Sequence, residues 1–208
     1  MTDIDRRGIL KMLGTVPVAG LAVSPAEAVQ AHEQAKKNVA AAGKKGAPFA
    51  PKFFTAHEWA TVRLLADLVI PKDERSGSAS DALVPEFMDF AMTDPLIGER
   101  DREYRQTAMR GGLAWLDLEC QDRFGKTFLA AAEGERTQVL DDIAYPDKAK
   151  GKPELQPGVR FFSSFRDLTA TGFWSSKIGV EDLQYMGNTF VAEWKGPPAE
   201  VLAKLGLS

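Results

Sequence analysis

The sequence contains very few of the residues from which redox and metal centres are usually built. Cys120 is its only cysteine, and His32 and His57 are its only histidines. A single cysteine cannot close an intramolecular disulfide, hold an iron–sulfur cluster or complete the C-x-x-C-H motif that attaches haem. A zinc site of the His/Cys type also lacks ligands unless carboxylates contribute. We therefore expect this chain to bind no cofactor and no metal itself.

Other common functional signatures are missing as well. The sequence has no G-x-G-x-x-G, no phosphate-binding loop and no G-x-S-x-G motif. Its 26 basic and 29 acidic residues leave no positive excess, which argues against nucleic-acid binding. The longest uncharged run, Met12 to Ala26, is interrupted by Gly14, Pro17 and Gly20. It is shorter than the roughly 18 apolar residues that a membrane-spanning helix needs.

The N-terminus has the pattern of an export signal. Its first part carries the basic residues Arg6, Arg7 and Lys11, with the apolar Leu10 before the lysine. A moderately apolar stretch follows and ends in the Ala26-Glu27-Ala28 sequence, which has the Ala-x-Ala form that signal peptidases favour. The arginine pair resembles a twin-arginine signal, although Asp5 and Ile9 replace the commoner Ser/Thr and Phe. We expect residues 1–28 to be this signal, with cleavage after Ala28 and a periplasmic mature protein; an ordinary secretory signal and an uncleaved N-terminus are the alternatives.

The type of signal bears on function. The twin-arginine translocase carries proteins that are already folded, often because a cofactor is loaded before export. A folded-export signal on a chain without a cofactor motif suggests that the signal serves a companion. That companion would hold the cofactor and lack a signal of its own.

Residues 29–52 differ in composition from the rest of the chain. They are rich in alanine and contain five lysines against one glutamate. We interpret them as a partly helical tether that follows the cleavage site, rather than as core. Contact of their lysines with anionic lipid headgroups is an alternative. The globular domain is then expected to cover residues 53–208.

Within that domain, apolar residues recur at helical spacing. Thr55 and Glu58 fit a capping box, and the helix that they start should stop at Ile70-Pro71. A shorter helix around Phe87 follows, capped by Asp81 or a neighbour. A long helix is expected from about Arg100 to Arg123, with a bend or break at Gly111-Gly112.

The second half of the domain continues this pattern. We expect a helix over 135–145, an exposed loop over 146–158 and a well-buried helix that carries Phe161 and Phe165. A short helix should close the chain. No alternating strand pattern is present. The predicted fold is all-α, a small irregular helical bundle with a loop-rich, aromatic C-terminal segment.

Several residues are candidates for chemistry, and each has a plainer interpretation. His57 with Glu58 could act as a general base and its partner, but an exposed histidine in a first helical turn is common. The acidic pairs Asp73-Glu74 and Asp141-Asp142 lack the spacing of a calcium loop. Cys120 could form a disulfide with a partner subunit, or it could be a buried, inert thiol on an apolar helical face.

The C-terminal aromatic residues are the feature that a plain core explains least. Large aromatic side chains dominate the energetics of protein interfaces. Packing within the chain is an equally good interpretation, and a quinone pocket is a weaker one. We assign a partner interface to five residues: Phe173, Trp174, Tyr185, Asn188 and Trp194.

Six sequence blocks, spread between Phe53 and Pro198, carry a family resemblance. They are Leu65–Pro71, Gly112–Asp117, Arg123–Phe128, the Phe161-Phe162…Leu168-Thr169…Gly172-Phe173 series, Tyr185–Asn188 and Trp194–Pro197. In this order, behind a twin-arginine signal, they resemble the gluconate 2-dehydrogenase subunit 3 family, the small subunits of bacterial FAD-dependent dehydrogenases. The lysine-rich stretch 29–52 and the loop 146–158 depart from that pattern.

The resemblance implies a non-catalytic helper. Such subunits bind a flavoprotein of the glucose–methanol–choline type, which holds FAD and oxidises a sugar or polyol. A multihaem cytochrome c subunit often accepts the electrons, and the complex associates with the membrane through these partners. The small subunit would support folding and export of the flavoprotein. The rival hypotheses are an independent exported enzyme that uses His57 or an acidic pair, and a stand-alone periplasmic binding protein.

Overall fold

The computed structural model describes residues 21–44, 46–185, 187, 192–193 and 196–207. Within these ranges the chain forms eight α-helices, one 3₁₀ turn at Pro153–Leu155 and no strand. The helices are α1 (Pro25–Lys44), α2 (Ala56–Val69), α3 (Val84–Thr93), α4 (Glu99–Phe124), α5 (Glu133–Ala144), α6 (Gln156–Trp174), α7 (Lys177–Asp182) and α8 (Ala199–Lys204). The predicted all-α class is confirmed.

Helix α6 lies at the centre of the bundle. It packs against α1, α2, α3, α4, α5 and α7. Its apolar residues at three- and four-residue spacing are buried on several sides: Val159, Phe161, Phe162, Phe165, Leu168 and Phe173. The sequence prediction that this would be a well-buried helix is confirmed.

Two glycines bring α4 and α6 into close contact. A Cβ added to Gly112 would lie 1.8 Å from Cδ2 of Phe161, and one added to Gly158 would lie 2.3 Å from Cη2 of Trp115. The ring of Phe161 on α6 therefore packs directly on Gly112 of α4, and the ring of Trp115 on α4 packs directly on Gly158 of α6. The expected break at Gly111-Gly112 is wrong: α4 runs unbroken to Phe124, and Gly112 makes room for the ring of Phe161.

The expected exposed loop over 146–158 is also partly wrong. Ala149 and Leu155 are buried, and α6 already begins at Gln156. Gln156 donates a side-chain hydrogen bond to the carbonyl of Ala149 at 2.9 Å. Pro153 and Pro157 lie in the first turns of helices instead of breaking them, since a proline fits the first turn where no amide partner is needed.

Helix α1 overturns the tether prediction for residues 29–44. It packs chiefly against α3 and buries Ala28, Ala31, His32 and Ala35. Its alanines recur at three- and four-residue spacing, but they are too small to be recognised as an apolar face in the sequence. Small side chains let two helices approach closely, so this alanine stripe belongs to the core.

Residues 46–54 are also held to the body. The buried carboxylate of Asp89 on α3 accepts hydrogen bonds from the backbone amides of Lys52 (2.9 Å) and Phe53 (2.8 Å). The ring of Phe49 packs against that of Trp59 at a tilt of 39°, with ring centroids 5.5 Å apart. The tether interpretation therefore fails at Phe49 and Lys52 as well.

Helix α2 follows the sequence prediction closely. Thr55 Oγ1 accepts from the amide of Glu58 at 3.3 Å, and the Glu58 carboxylate accepts from the amide of Thr55 at 2.8 Å. The helix ends at Val69, directly before Ile70-Pro71. Helix α3 is not capped by Asp81: Leu83 precedes it in the left-handed region at φ 60°. No helix in the described ranges is long and apolar enough to cross a membrane.

Candidate partner-binding surface

The junction of α6 and α7 exposes a group of large apolar side chains. Trp174 is 40% exposed, Leu183 is 58% exposed and Tyr185 is 60% exposed. Val180 contributes a fourth exposed apolar side chain. We call these four residues the α6–α7 patch. Single exposed apolar residues are ordinary on a soluble protein, but four within twelve positions of the chain mark a candidate binding surface.

A tight turn produces this patch. Ser176 caps α7, because its hydroxyl accepts from the amide of Gly179 at 3.0 Å. A Cβ on Gly179 would lie 2.1 Å from the carbonyl oxygen of Phe173, so only glycine lets α7 fold back this closely. The short α7 then presents Val180 and Leu183 one turn apart, and hence on one face.

The patch rests on the core and is fixed to a neighbouring loop. Phe173 is buried beneath it and meets the ring of Trp174 edge-on, with centroids 4.9 Å apart. On the α7 side, Arg75 donates to the carbonyl of Asp182 at 2.8 Å and pairs with its carboxylate at 3.3 Å. These contacts hold the backbone that carries the patch in place.

The structure divides the five residues that the sequence assigned to an interface. Trp174 and Tyr185 are each exposed, whereas Phe173 is a core residue and its assignment is wrong. Asn188 and Trp194 lie outside the described residues. Sequence reasoning missed Val180 in α7 and Leu183 directly after it, although their three-residue spacing was a usable signal.

A second set of exposed apolar residues lies at the C-terminal end. Helix α8 has no buried residue. Val201, Leu205 and Leu207 are exposed in and just after it. In the α6–α7 patch, Trp174 packs against the buried Phe173 of the same helix. Helix α8 has no such buried residue to support its apolar side chains.

Cys120 does not lie on any such surface. Its side chain is fully buried in α4. Burial, with a smaller effect from the negative charge of Asp117, raises the pKa of the Cys120 thiol to about 11. Because the thiolate is the reactive form, a buried thiol with a raised pKa is inert. The structure thus contradicts the inter-subunit disulfide and supports the plainer interpretation.

His57 pairs with an aspartate that the sequence did not suggest. Its Nε2 lies 2.6 Å from Oδ2 of Asp117 on α4, while Glu58 serves the α2 cap and pairs with Arg110 at 3.7 Å. Asp117 also accepts from the amide of Phe128 at 2.9 Å. The carboxylate thus joins the start of α2 to the segment after α4, which is a structural role.

The acidic pairs likewise have local partners. Asp73 accepts hydrogen bonds from the amides of Ser76 and Arg75, and these bonds lower the pKa of its carboxyl group. Asp142 pairs with Arg123 at 2.7 Å. Across the part of the chain that the structure describes, no group of three or more His, Cys, Asp or Glu side chains is placed to hold a metal ion.

One buried carboxyl group is poorly satisfied. Glu86 on α3 is buried, and its Oε2 has no hydrogen-bond partner in the described structure. Its other oxygen lies 3.8 Å from Arg63, which is half exposed. Burial raises the pKa of the Glu86 carboxyl group. The group lies in the helical core rather than in a cleft, so it bears on stability and not on binding.

Comparison with known proteins adds one finding. Residues 56–193 match the sequence model of a family described as gluconate 2-dehydrogenase subunit 3. The match begins at the first residue of α2 and extends beyond the α6–α7 patch. Neither the curated proteins nor the solved structures contain a match to this chain.

Proposed function

This chain belongs to the gluconate 2-dehydrogenase subunit 3 family, and from that membership we propose that it is the non-catalytic small subunit of an FAD-dependent sugar or polyol dehydrogenase. In this proposal it binds the flavoprotein subunit, supports its folding and takes it through the twin-arginine translocase to the periplasm. A multihaem cytochrome c is the proposed third subunit, and the complex associates with the membrane through its partners.

The family match over most of the chain is the observation that carries the proposal. The Arg6-Arg7 sequence near the N-terminus supports the export step. The α6–α7 patch supports a binding role, because exposed aromatic and aliphatic side chains on fixed backbone are suited to be interface anchors. FAD belongs to the partner in this proposal, and the substrate is chosen by the partner.

The export step is tested by replacing both signal arginines. The Arg6→Lys, Arg7→Lys double variant should leave this chain, the flavoprotein and the dehydrogenase activity in the cytoplasm. A matched control, Arg100→Lys with Arg166→Lys, makes the same chemical change at two exposed positions of the body and should leave export intact. Arrival of the flavoprotein in the periplasm with the signal variant would refute the helper role.

The docking surface is tested separately by co-purification. Leu183→Ser with Tyr185→Ser removes two apolar anchors without touching the core. Loss of interface anchors costs about 2 kcal/mol or more, so we expect affinity for the flavoprotein to fall roughly 30-fold or further. Leu96→Ser, which changes a leucine that is 75% exposed on the loop between α3 and α4, is the control and should co-purify normally. Unchanged binding by the patch variant would place the interface elsewhere.

A further inference from the structure

The predicted signal cleavage site lies inside a folded helix. Ser24 caps α1: its hydroxyl accepts from the amide of Glu27 at 3.3 Å, while the Glu27 carboxylate accepts from the amide of Ser24 at 2.8 Å. The amide of Ala28 donates to the carbonyl of Ser24 at 2.9 Å. The peptide bond between Ala28 and Val29 therefore follows directly on the first turn of α1.

The residues before that bond are part of the core. Leu21 is 2% exposed, and Ala28 is buried where α1 meets the rest of the body. Leu21 and Val23 also line a groove whose other wall is α6, at Leu168 and Thr171. Removing residues 21–28 would uncover apolar surface on the central helix.

An ion pair fixes the same segment to a distant helix. Glu27 lies 3.2 Å from Arg105 of α4, and the Arg105 side chain is only 12% exposed. Cutting after Ala28 would remove Glu27 and leave a mostly buried guanidinium group without this partner. Leaving a buried charge unpaired is strongly unfavourable.

We propose that the export signal is processed N-terminal to Leu21, so that the mature protein keeps residues 21–28 and the whole of α1. Proteolytic cleavage requires exposed backbone that is free of hydrogen bonds, and a chain that folds before export buries Ala28 before it reaches the peptidase. Val18-Ala19-Gly20 offers small residues for cleavage directly before Leu21. The inference rests on the proposed function for the export step, and on the contacts of α1 for the location of the cut.

The first experiment is the intact mass of the full chain, carrying a C-terminal tag, recovered from the periplasm and membranes of its native host. We expect an N-terminus at Leu21 or upstream of it. Ala26→Gln, an exposed change that removes the small residue needed for cleavage after Ala28, should leave this mass unaltered apart from the substitution itself. An N-terminus at Val29, or accumulation of uncut Ala26→Gln precursor, overturns the proposal.

The second experiment measures the thermal stability of the exported protein. Leu21→Ser should lower its Tm by about 5–10 °C, because a buried leucine is lost from a chain of this size. Val29→Ser, an exposed neighbour, should leave Tm unchanged. If Leu21→Ser leaves the Tm of the exported protein unchanged, Leu21 is absent from it and the proposal fails.

The two proposals fail in different ways. If the chain stays in the cytoplasm, the export function is refuted. An exported chain whose N-terminus is Val29 leaves the export function standing and overturns the inference alone.

Discussion

Replacing Gly112 with alanine tests the close contact of α4 and α6 most directly. In an exposed helix this change stabilises by up to about 1 kcal/mol, since glycine is the weaker helix former. Here the new Cβ would lie 1.8 Å from Cδ2 of Phe161, well inside van der Waals contact. Phe161 is buried on the central helix, so its ring cannot move aside without shifting other core residues. Overpacking of this kind costs about 1–3 kcal/mol.

We expect the clash to exceed the gain in helix propensity. The net destabilisation of Gly112→Ala should be about 2 kcal/mol, which lowers Tm by roughly 4–8 °C in a chain of this length. Gly134→Ala is the matched control, because Gly134 lies in α5 with nothing within 4 Å of an added Cβ. That variant should be neutral or slightly more stable.

A double-mutant cycle with Phe161→Ala separates the clash from other effects. Phe161→Ala alone should be strongly destabilising, but it empties the space that the Gly112 Cβ needs. Adding Gly112→Ala in that background should then cost little or even stabilise, for a coupling energy of about 2 kcal/mol. Urea unfolding followed by circular dichroism measures all four proteins. If Gly112→Ala destabilises the Phe161→Ala variant as much as it destabilises the native chain, the packing argument is refuted.

Three further outcomes are expected. The raised pKa of Glu86 means that the folded state favours the protonated carboxyl group. The contribution of this group to the free energy of unfolding is therefore complete below the ordinary glutamate pKa of 4.5, and it is lost as the pH rises through the raised pKa of the folded state. Glu86→Gln should therefore gain about 1 kcal/mol over the native chain at pH 8 and little at pH 4, measured by denaturant unfolding at both values; an equal difference at both would contradict this. Cys120 should resist a thiol reagent in the folded protein and react fully in denaturant, whereas rapid modification of the folded protein would show that it is accessible. His57→Ala should cost at most about 1 kcal/mol of stability and leave the activity of the dehydrogenase complex unchanged; a large fall in activity would favour the enzyme hypothesis.

Helix periodicity and capping were sufficient to predict much of the fold. The Thr55–Glu58 capping box and the stop at Ile70-Pro71 specify α2 almost to the residue, because both signals are local. The buried face of α6 was equally clear, since phenylalanines at helical spacing are a strong signal. Contacts within one helical turn can thus be predicted from the sequence.

Two of the errors concern contacts between distant segments. Gly112 looks like a helix breaker until Phe161, far away in the chain, is seen to fill the space above it. The alanine stripe of α1 looks like a linker until α3 is seen to cover it. Small residues carry little hydrophobic signal of their own, and their role depends on what packs against them.

The candidate site was predicted in part for the same reason. Trp174 and Tyr185 were recognised by type, but whether an aromatic residue faces solvent or core depends on the tertiary fold. Phe173 and Trp174 are neighbours in the chain and differ completely in burial. The pairing of His57 with Asp117, across 60 positions, had no sequence signal at all.

Trp174 belongs to the helix that contacts most of the other described helices. If a companion binds at the α6–α7 patch as proposed, its binding free energy would therefore add to the stability of the bundle. A companion present at a hundred times its Kd would add about 2.7 kcal/mol to the unfolding free energy. Amide exchange should then slow along all of α6 and its neighbours, and not only beside the contact. A subunit built in this way is least durable when it is alone, and that favours its clearance by proteases whenever its companion is missing.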